Sequence, residues 1–301
     1  MCGIVGLYLK NPELESQLGA LFAPMLIAMT GRGPDSAGFA IYGDEVPEGS
    51  VKLTLQHNRE NYPWDELSAE LEKIYDTSVS VRRNANAAVL KLEADEQAVR
   101  GYLGEHQPDI NIMSVGRSVE ILKAVGLPEH IVSQYNLEGM QGTHIIGHTR
   151  MATESAVTTE GSHPFSTGMD LCLVHNGSFS NHNRLREELR RRGFQFQTEN
   201  DTEVAAAYLT WRLQLGESLE EALNSALKDL DGFYTLTIGT RDGFAVLRDP
   251  IACKPATMAE TDDYVAIASE YQSLSQLPGI DQARLWEPEP AIVYTWGGAV
   301  A

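Results

Sequence analysis

The apolar residues of this chain come in runs no longer than a single strand. Gly3–Leu9 (GIVGLYL) is such a run, as are residues 39–42, 144–149 and 171–175, and Tyr264–Ala268. A short apolar run bounded by turn residues reads as a strand covered on both faces. Residues 51–57 instead alternate, Val51, Leu53 and Leu55 against Lys52, Thr54 and Gln56, which predicts a half-buried strand. Helical spacing appears in Leu14, Leu18, Leu21, Phe22, Met25, Leu26 and Met29, with Pro24 marking a kink, and again in Trp64, Leu67, Leu71 and Ile74. Residues 86–127 read strand, helix, strand, helix, around 88–92, 96–103, 110–115 and 119–125. Helices are predicted at 181–192, 202–215 and 219–230. The tail returns to strands at 234–239, 243–247, 264–268 and 291–295, with Arg241-Asp242-Gly243 as a hairpin turn. Strands, then helices, then strands predict an α+β protein with layered, mainly antiparallel sheets.

Composition narrows the function. Of 301 residues, 23 are Lys or Arg and 42 are Asp or Glu, a formal net charge of -19. A phosphate backbone rewards the opposite balance, so nucleic acid is not an expected partner, nor is an anionic membrane surface. No apolar stretch approaches the ~20 residues of a membrane span. Lys10, Asn11, Pro12 and Glu13 interrupt any signal-peptide pattern. The expectation is a cytoplasmic protein. Three cysteines, Cys2, Cys172 and Cys253, neither close a disulfide set nor stand at metal-ligand spacing.

Cys2 follows the initiator methionine. Removal of Met1 would leave a thiol and an α-amine on one residue. An α-amine titrates near ~7.7–8.0, so it can take the proton of its own thiol and serve as the base of an N-terminal nucleophile. The plainer alternative is a small residue beginning a strand.

The residues after it bear on that choice. Met1-Cys2-Gly3-Ile4-Val5-Gly6 resembles the start of class II (N-terminal nucleophile) glutamine amidotransferases. In the same order come Arg32-Gly33-Pro34-Asp35-Ser36-Ala37-Gly38, Gly147-His148-Thr149-Arg150-Met151-Ala152-Thr153, Ser162-His163-Pro164-Phe165, His175-Asn176-Gly177 and Asn200-Asp201-Thr202-Glu203. Arg248-Asp249-Pro250, Lys254-Pro255 and Ser269-Glu270 resemble the family's closing segments. The resemblance covers residues 2–42 and about 143–277. It departs from the pattern at Met151, where many members carry Trp, and at Glu154-Ser155, where many carry His-Gly.

The resemblance implies a four-layer αββα N-terminal nucleophile hydrolase sandwich. It implies Cys2 as nucleophile, with the Asn176 side chain and the Gly177 N–H as donors to the oxyanion formed on attack. Asn offers two N–H donors and Gly admits close backbone approach. Asn-Gly is also a strong turn dipeptide, and the two readings are compatible. Substrate contacts fall on Arg150, which can grip a carboxylate bidentately, on Thr153 as a hydroxyl donor, and on Asp201 for the ammonium. An ordinary ion pair is the alternative for Arg150. A helix cap is the alternative for Asp201, since Asp-Thr-Glu precedes a helical run. The Arg32–Asp35 loop is expected to wall the site rather than to react. His148, His163 and His175 lack the spacing of a helix-face metal pair, and no metal is expected. Cys172 and Cys253 read as inert packing residues.

Residues 44–142 lie outside the motifs, far more than a loop needs. Their periodicity predicts a small α/β subdomain inserted into one amidotransferase domain over 2–301, either an added core or a docking surface. After residue 277 too little chain remains for an acceptor domain, and there is no Walker loop or dinucleotide fingerprint. The opening MCGIVGLYLK, RGPDSAG and the insertion are most similar to stand-alone amidotransferase subunits of glutamate-synthase-like systems, in particular that of N-methylglutamate synthase (methylamine–glutamate N-methyltransferase). That branch implies a hetero-oligomer with synthase-type subunits. It also implies no cofactor in this chain, with FMN and an iron–sulfur cluster sought on the partners, and a substrate that is glutamine or a γ-glutamyl amide. Other readings stay open at this point: another N-terminal nucleophile amidase, a catalytically silent scaffold subunit, an amidotransferase subunit of a different synthase, or a glutaminase active only when docked.

Overall fold

The computed structural model describes residues 2–152 and 157–298. Its framework is two facing sheets. The first runs in the order β15 (Arg284–Trp286), β13 (Thr257–Glu260), β14 (Tyr264–Ala268), β1 (Gly3–Leu9), β8 (His144–Arg150), β2 (Ser36–Tyr42), β7 (Val119–Val125). The second runs β16 (Val293–Gly297), β12 (Gly243–Arg248), β11 (Gly232–Thr240), β10 (Leu171–Phe179), β9 (Phe165–Gly168). Neighbouring strands in both are antiparallel.

Strand periodicity assigns each side chain to a layer. In β1, Val5, Leu7 and Leu9 face outward, where α1 (Leu18–Ala28), α4 (Pro128–Gln134) and α8 (Tyr271–Leu274) cover them. Ile4 faces inward and packs with Ile146, Ala40, Cys172 and Val174 between the sheets. In β10, Leu171, Leu173 and Phe179 face the opposite way, against α5 (His182–Arg191), α6 (Asp201–Gln214) and α7 (Leu219–Asp229). The order is helices, sheet, sheet, helices, the αββα sandwich that the resemblance implies.

A third sheet, β4 (Ser80–Asn84), β5 (Ala87–Glu93), β3 (Ser50–Gln56), β6 (Asn111–Gly116), carries α2 (Trp64–Tyr75) and α3 (Glu96–His106). Trp64, Leu67, Leu71, Val99 and Leu103 form its core with Val51, Leu53, Leu55, Leu90 and Leu92. Of the stretch 44–142, this unit takes the part up to Gly116. The chain then returns to the main sandwich as β7, which pairs along its whole length with β2. Residues 119–125 are therefore a strand and not the helix predicted from their apolar spacing. The segment is covered on both faces, so the alternation that marks a half-buried strand is missing, and its β-branched Val119, Ile121 and Val125 were the better guide. The Leu14–Met29 helix is split, a 3-10 turn over Pro12–Gln17 preceding α1, with Pro24 inside α1. The Arg241–Asp242 hairpin joins Thr240 to Gly243 as predicted. No helix among the described residues is long and apolar enough to cross a membrane.

Candidate active site

Cys2 leads into β1, between two neighbours that hold the strand from both sides. Gly3 pairs with Thr149 of β8, and Val5 with Ala268 of β14. Beyond the ladder, the Ile4 N–H donates to Ser269 Oγ at 2.9 Å. The Cys2 carbonyl oxygen accepts from Arg32 Nε at 2.9 Å and from Asn176 Nδ2 at 3.2 Å. Arg32 also reaches Glu270 at 2.6 Å. Two of the resembling segments, 32–38 and 269–270, thus meet each other at the head of β1, the first on Cys2 and the second on Ile4. The other half of the 32–38 loop holds the end of β8: the Asp35 N–H donates to the Arg150 carbonyl at 3.1 Å, and its carboxylate accepts from the Ala152 N–H at 2.8 Å. The loop backs Cys2 and the end of β8 and contributes no residue to the cleft lining.

Asn176 and Gly177 lie within β10, opposite Thr235 and Tyr234 of β11. They are not a turn. The pleat places Cys172, Val174 and Asn176 on the face toward the first sheet, which is why the Asn176 amide reaches Cys2. Gly177 has φ +147°, and a Cβ there would stand 2.0 Å from the Phe233 carbonyl oxygen. Only glycine meets both demands.

Asp201 is the first residue of α6, and the cap is its neighbour: Asn200 Oδ1 accepts from the Thr202 N–H at 2.9 Å. The capping alternative therefore belongs to Asn200, and the Asp201 carboxylate is left for other work. One oxygen accepts from the Phe179 N–H at 3.0 Å, and the other lies 3.7 Å from His175 Nδ1. Behind it, Thr202 Oγ1 stands 3.1 Å from His175 Nδ1 and 3.2 Å from His163 Nε2. The rings of His148 and His163 stack at 3.9 Å, and His148 Nε2 is 3.1 Å from the His175 carbonyl. Burial pushes His148 down to about 3, and lowers His163 and His175 as well, with neighbouring cationic groups adding to the effect and Asp201 opposing it at His175. These are neutral rings that pack and orient. Among the described residues no group of three or more His, Cys, Asp or Glu is placed to hold a metal ion.

Cys2, Arg150, Gly177 and Asp201 line one cleft of about 660 Å³, together with Met151, His163, His175 and Thr198. That volume is within the ~300–1,000 Å³ of small-molecule sites. Asn176 adjoins it through its bond to Cys2. Arg150 is buried and lines the same cleft as Asp201, so a guanidinium and carboxylates, those of Asp201, Glu160 and Glu199, stand around the cleft that holds the Cys2 thiol. Thr153 lies outside the described residues. The sequence reading passed over the Thr202 hydroxyl between His163 and His175; its signal was the Asp-Thr step read only as a helix start. A second cleft, of about 550 Å³, lies between β4 and residues 135–141 and contains none of these groups.

A model of the glutamine amidotransferase domain matches residues 148–276. The chain is 56% identical over 296 residues to the glutamine amidotransferase-like protein GlxB of Rhizobium meliloti, covering 98% of each chain. It is 33% identical over 314 residues to a putative glutamine amidotransferase of Methanothermobacter thermautotrophicus, covering 98% of this chain and 99% of that protein. The solved glutamine phosphoribosylpyrophosphate amidotransferase from B. subtilis superposes with a TM-score of 0.63 at 19% identity. This chain is covered over 99% of its length and spans 47% of that one.

Proposed function

Since this chain belongs to the class II glutamine amidotransferase family, we propose that it hydrolyses the side-chain amide of glutamine through a γ-glutamyl thioester on Cys2 and hands the released ammonia to a separate synthase subunit. The observation that carries this reading is the convergence of Cys2, Arg150, Gly177 and Asp201 on one cleft. Arg150 suits the α-carboxylate of the substrate and Asp201 its α-ammonium. With the head group held, the side-chain amide is directed toward Cys2.

With Met1 removed, the Cys2 α-amine takes the thiol proton as sulfur attacks the amide carbon. The carbonyl oxygen gains the negative charge, and the Asn176 amide and Gly177 N–H are the donors for it. The ammonium formed on Cys2 returns its proton to the leaving nitrogen, the C–N bond breaks, and ammonia departs. Water then attacks the thioester, losing a proton to the same amine, and releases glutamate and the thiol. No cofactor enters these steps.

The acceptor reaction belongs, in this reading, to a glutamate-synthase-like partner in a cytoplasmic hetero-oligomer, with FMN and an iron–sulfur cluster on the partner. Within that branch the assembly is N-methylglutamate synthase, and the transferred amine is then ammonia or methylamine. Two measurements test the proposal. Treatment with 6-diazo-5-oxo-norleucine should add one adduct to a Met1-free chain and none to Cys2→Ala, read by intact mass. Rates on glutamine and on γ-glutamylmethylamide, with and without the candidate synthase, assign the amine. A retained Met1 with no adduct would overturn the catalytic reading, and failure to hydrolyse the methylamide would remove methylamine.

A further inference from the structure

Lys123 belongs to β7, outside the segments that resemble the amidotransferases, yet it reaches the wall of the cleft. It sits opposite Gly38 on the face of β7 that carries Val119 and Ile121 into the space between the sheets. It is buried, 5% exposed. Its Nζ donates to three backbone carbonyls of one short segment: Glu160 at 3.1 Å, Ser162 at 2.7 Å and Pro164 at 3.2 Å. It also stands 4.5 Å from the centre of the Phe165 ring. An ammonium has three N–H donors, so the tripod uses all of them.

The segment so held, from Glu160 to Phe165, contributes Glu160, Gly161 and His163 to the cleft lining beside Cys2. It rests directly on β2 at Gly38, where a Cβ would lie 2.3 Å from the His163 carbonyl oxygen and 2.4 Å from Lys123 Cβ. A second tie comes from the third sheet: Asn111 Nδ2 of β6 donates to Glu160 Oε1 at 3.0 Å. Between Gly161 and Asn200 Nδ2 a bond of 3.2 Å continues the wall to the N-terminus of α6, next to Asp201.

We infer that Lys123 is a positioning residue for the amidase site, holding residues 160–164 as the fixed wall against which glutamine is bound. Charge-assisted bonds to consecutive alternate carbonyls set the backbone of that wall, and through it the position of His163 and the spacing between Arg150 and Asp201. Substrate binding is the step that suffers when the tripod is removed, since Lys123 touches neither Cys2 nor the oxyanion donors. This role rests on the glutaminase reading for its kinetic consequence and not for its structural one.

The test separates the two. Desolvation pushes the ammonium down to about 7, against the pull of Glu203 and Glu160, so measurements are made at pH 6, where the charged, three-donor form predominates. In Lys123→Met, hydrogen exchange of peptides covering 157–165 should quicken by tenfold or more while peptides of β1 exchange as in the parent chain. KM for glutamine should rise about tenfold with kcat within threefold, and adduct formation at Cys2 by 6-diazo-5-oxo-norleucine should persist at saturating reagent. Lys123→Ala removes the side chain beyond Cβ, and propylammonium matches the deleted atoms. It should restore slow exchange and a low KM, whereas propanol should not. Unchanged exchange at 157–165 in Lys123→Met, or equal effects of propylammonium and propanol on Lys123→Ala, overturns the inference. If the parent chain forms no adduct at all, the glutaminase reading falls while the exchange result still decides the positioning role.

Discussion

The side-chain amide of Asn176 donates to the carbonyl oxygen of Cys2 across 3.2 Å, joining the inner faces of two different sheets at the head of β1. One N–H of the amide is used in this bond, which leaves the second for a developing oxyanion. Asn176→Ala should therefore lower kcat by about two to three decades. Thermal unfolding should shift little beside that loss, because the residue is one strand position within an otherwise intact ladder. A parent-like kcat in a folded variant would remove Asn176 from the oxyanion role.

Gly177 is a harsher position. Its φ of +147° and the 2.0 Å approach of the Phe233 carbonyl leave no room for a methyl group. Gly177→Ala should cost stability as well as turnover, with backbone strain alone worth about 1–3 kcal/mol. Differential scanning calorimetry and glutamine hydrolysis measured together should show both losses. A variant that melts with the parent chain would mean the strand relaxes more freely than its pairing with Tyr234 suggests.

Asp201→Asn keeps the shape of the side chain and removes its charge. The helix should survive, because Asn200 provides the cap and Asp201 does not. The expected result is a KM for glutamine raised by tenfold or more, with weaker discrimination between glutamine and analogues that lack the α-amine. Unaltered KM would confine Asp201 to its bond with the Phe179 N–H.

Four buried histidines should make the fold acid-sensitive. His144 is pushed down to about 4 and His148 to about 3 by desolvation, and His163 and His175 are lowered too. In the unfolded chain each titrates near ~6.5. Below that pH the unfolded state binds protons that the folded state refuses, so stability is whole above about 6.5 and falls as pH drops toward the folded values. Each histidine contributes at most about 1.4 kcal/mol per pH unit across that window. Urea unfolding at pH 7 and pH 5 should show the midpoint falling. An acid-independent midpoint would mean the rings are not held neutral.

Most central strands of the sandwich were legible because hydrophobic runs and turn residues announce them, whereas the short strands β9, β13 and β15 carry too few apolar residues to stand out. Residues 119–125 were not, since a strand buried on both faces loses its period-two signature and borrows the look of a short helix. The site residues were readable as types and not as a geometry. Asn176-Gly177 looked like a turn and is mid-strand, because pairing with β11 overrides the local preference of the dipeptide. The cap next to Asp201 shifted by one residue to Asn200, within the ordinary uncertainty of a helix start. Lys123 gave no local sign of its role, because the three carbonyls it gathers are some forty positions away along the chain.

β1 is flanked by β8 and β14, and the Ile4 N–H is bonded to a hydroxyl 265 positions further on. A ribosome must therefore have delivered Ser269 before the opening strand acquires both of its neighbours. Until then the strand also lacks the Glu270–Arg32 pair that ties its Arg32 contact in place. The head of β1 is therefore among the last parts of the fold to be completed during synthesis.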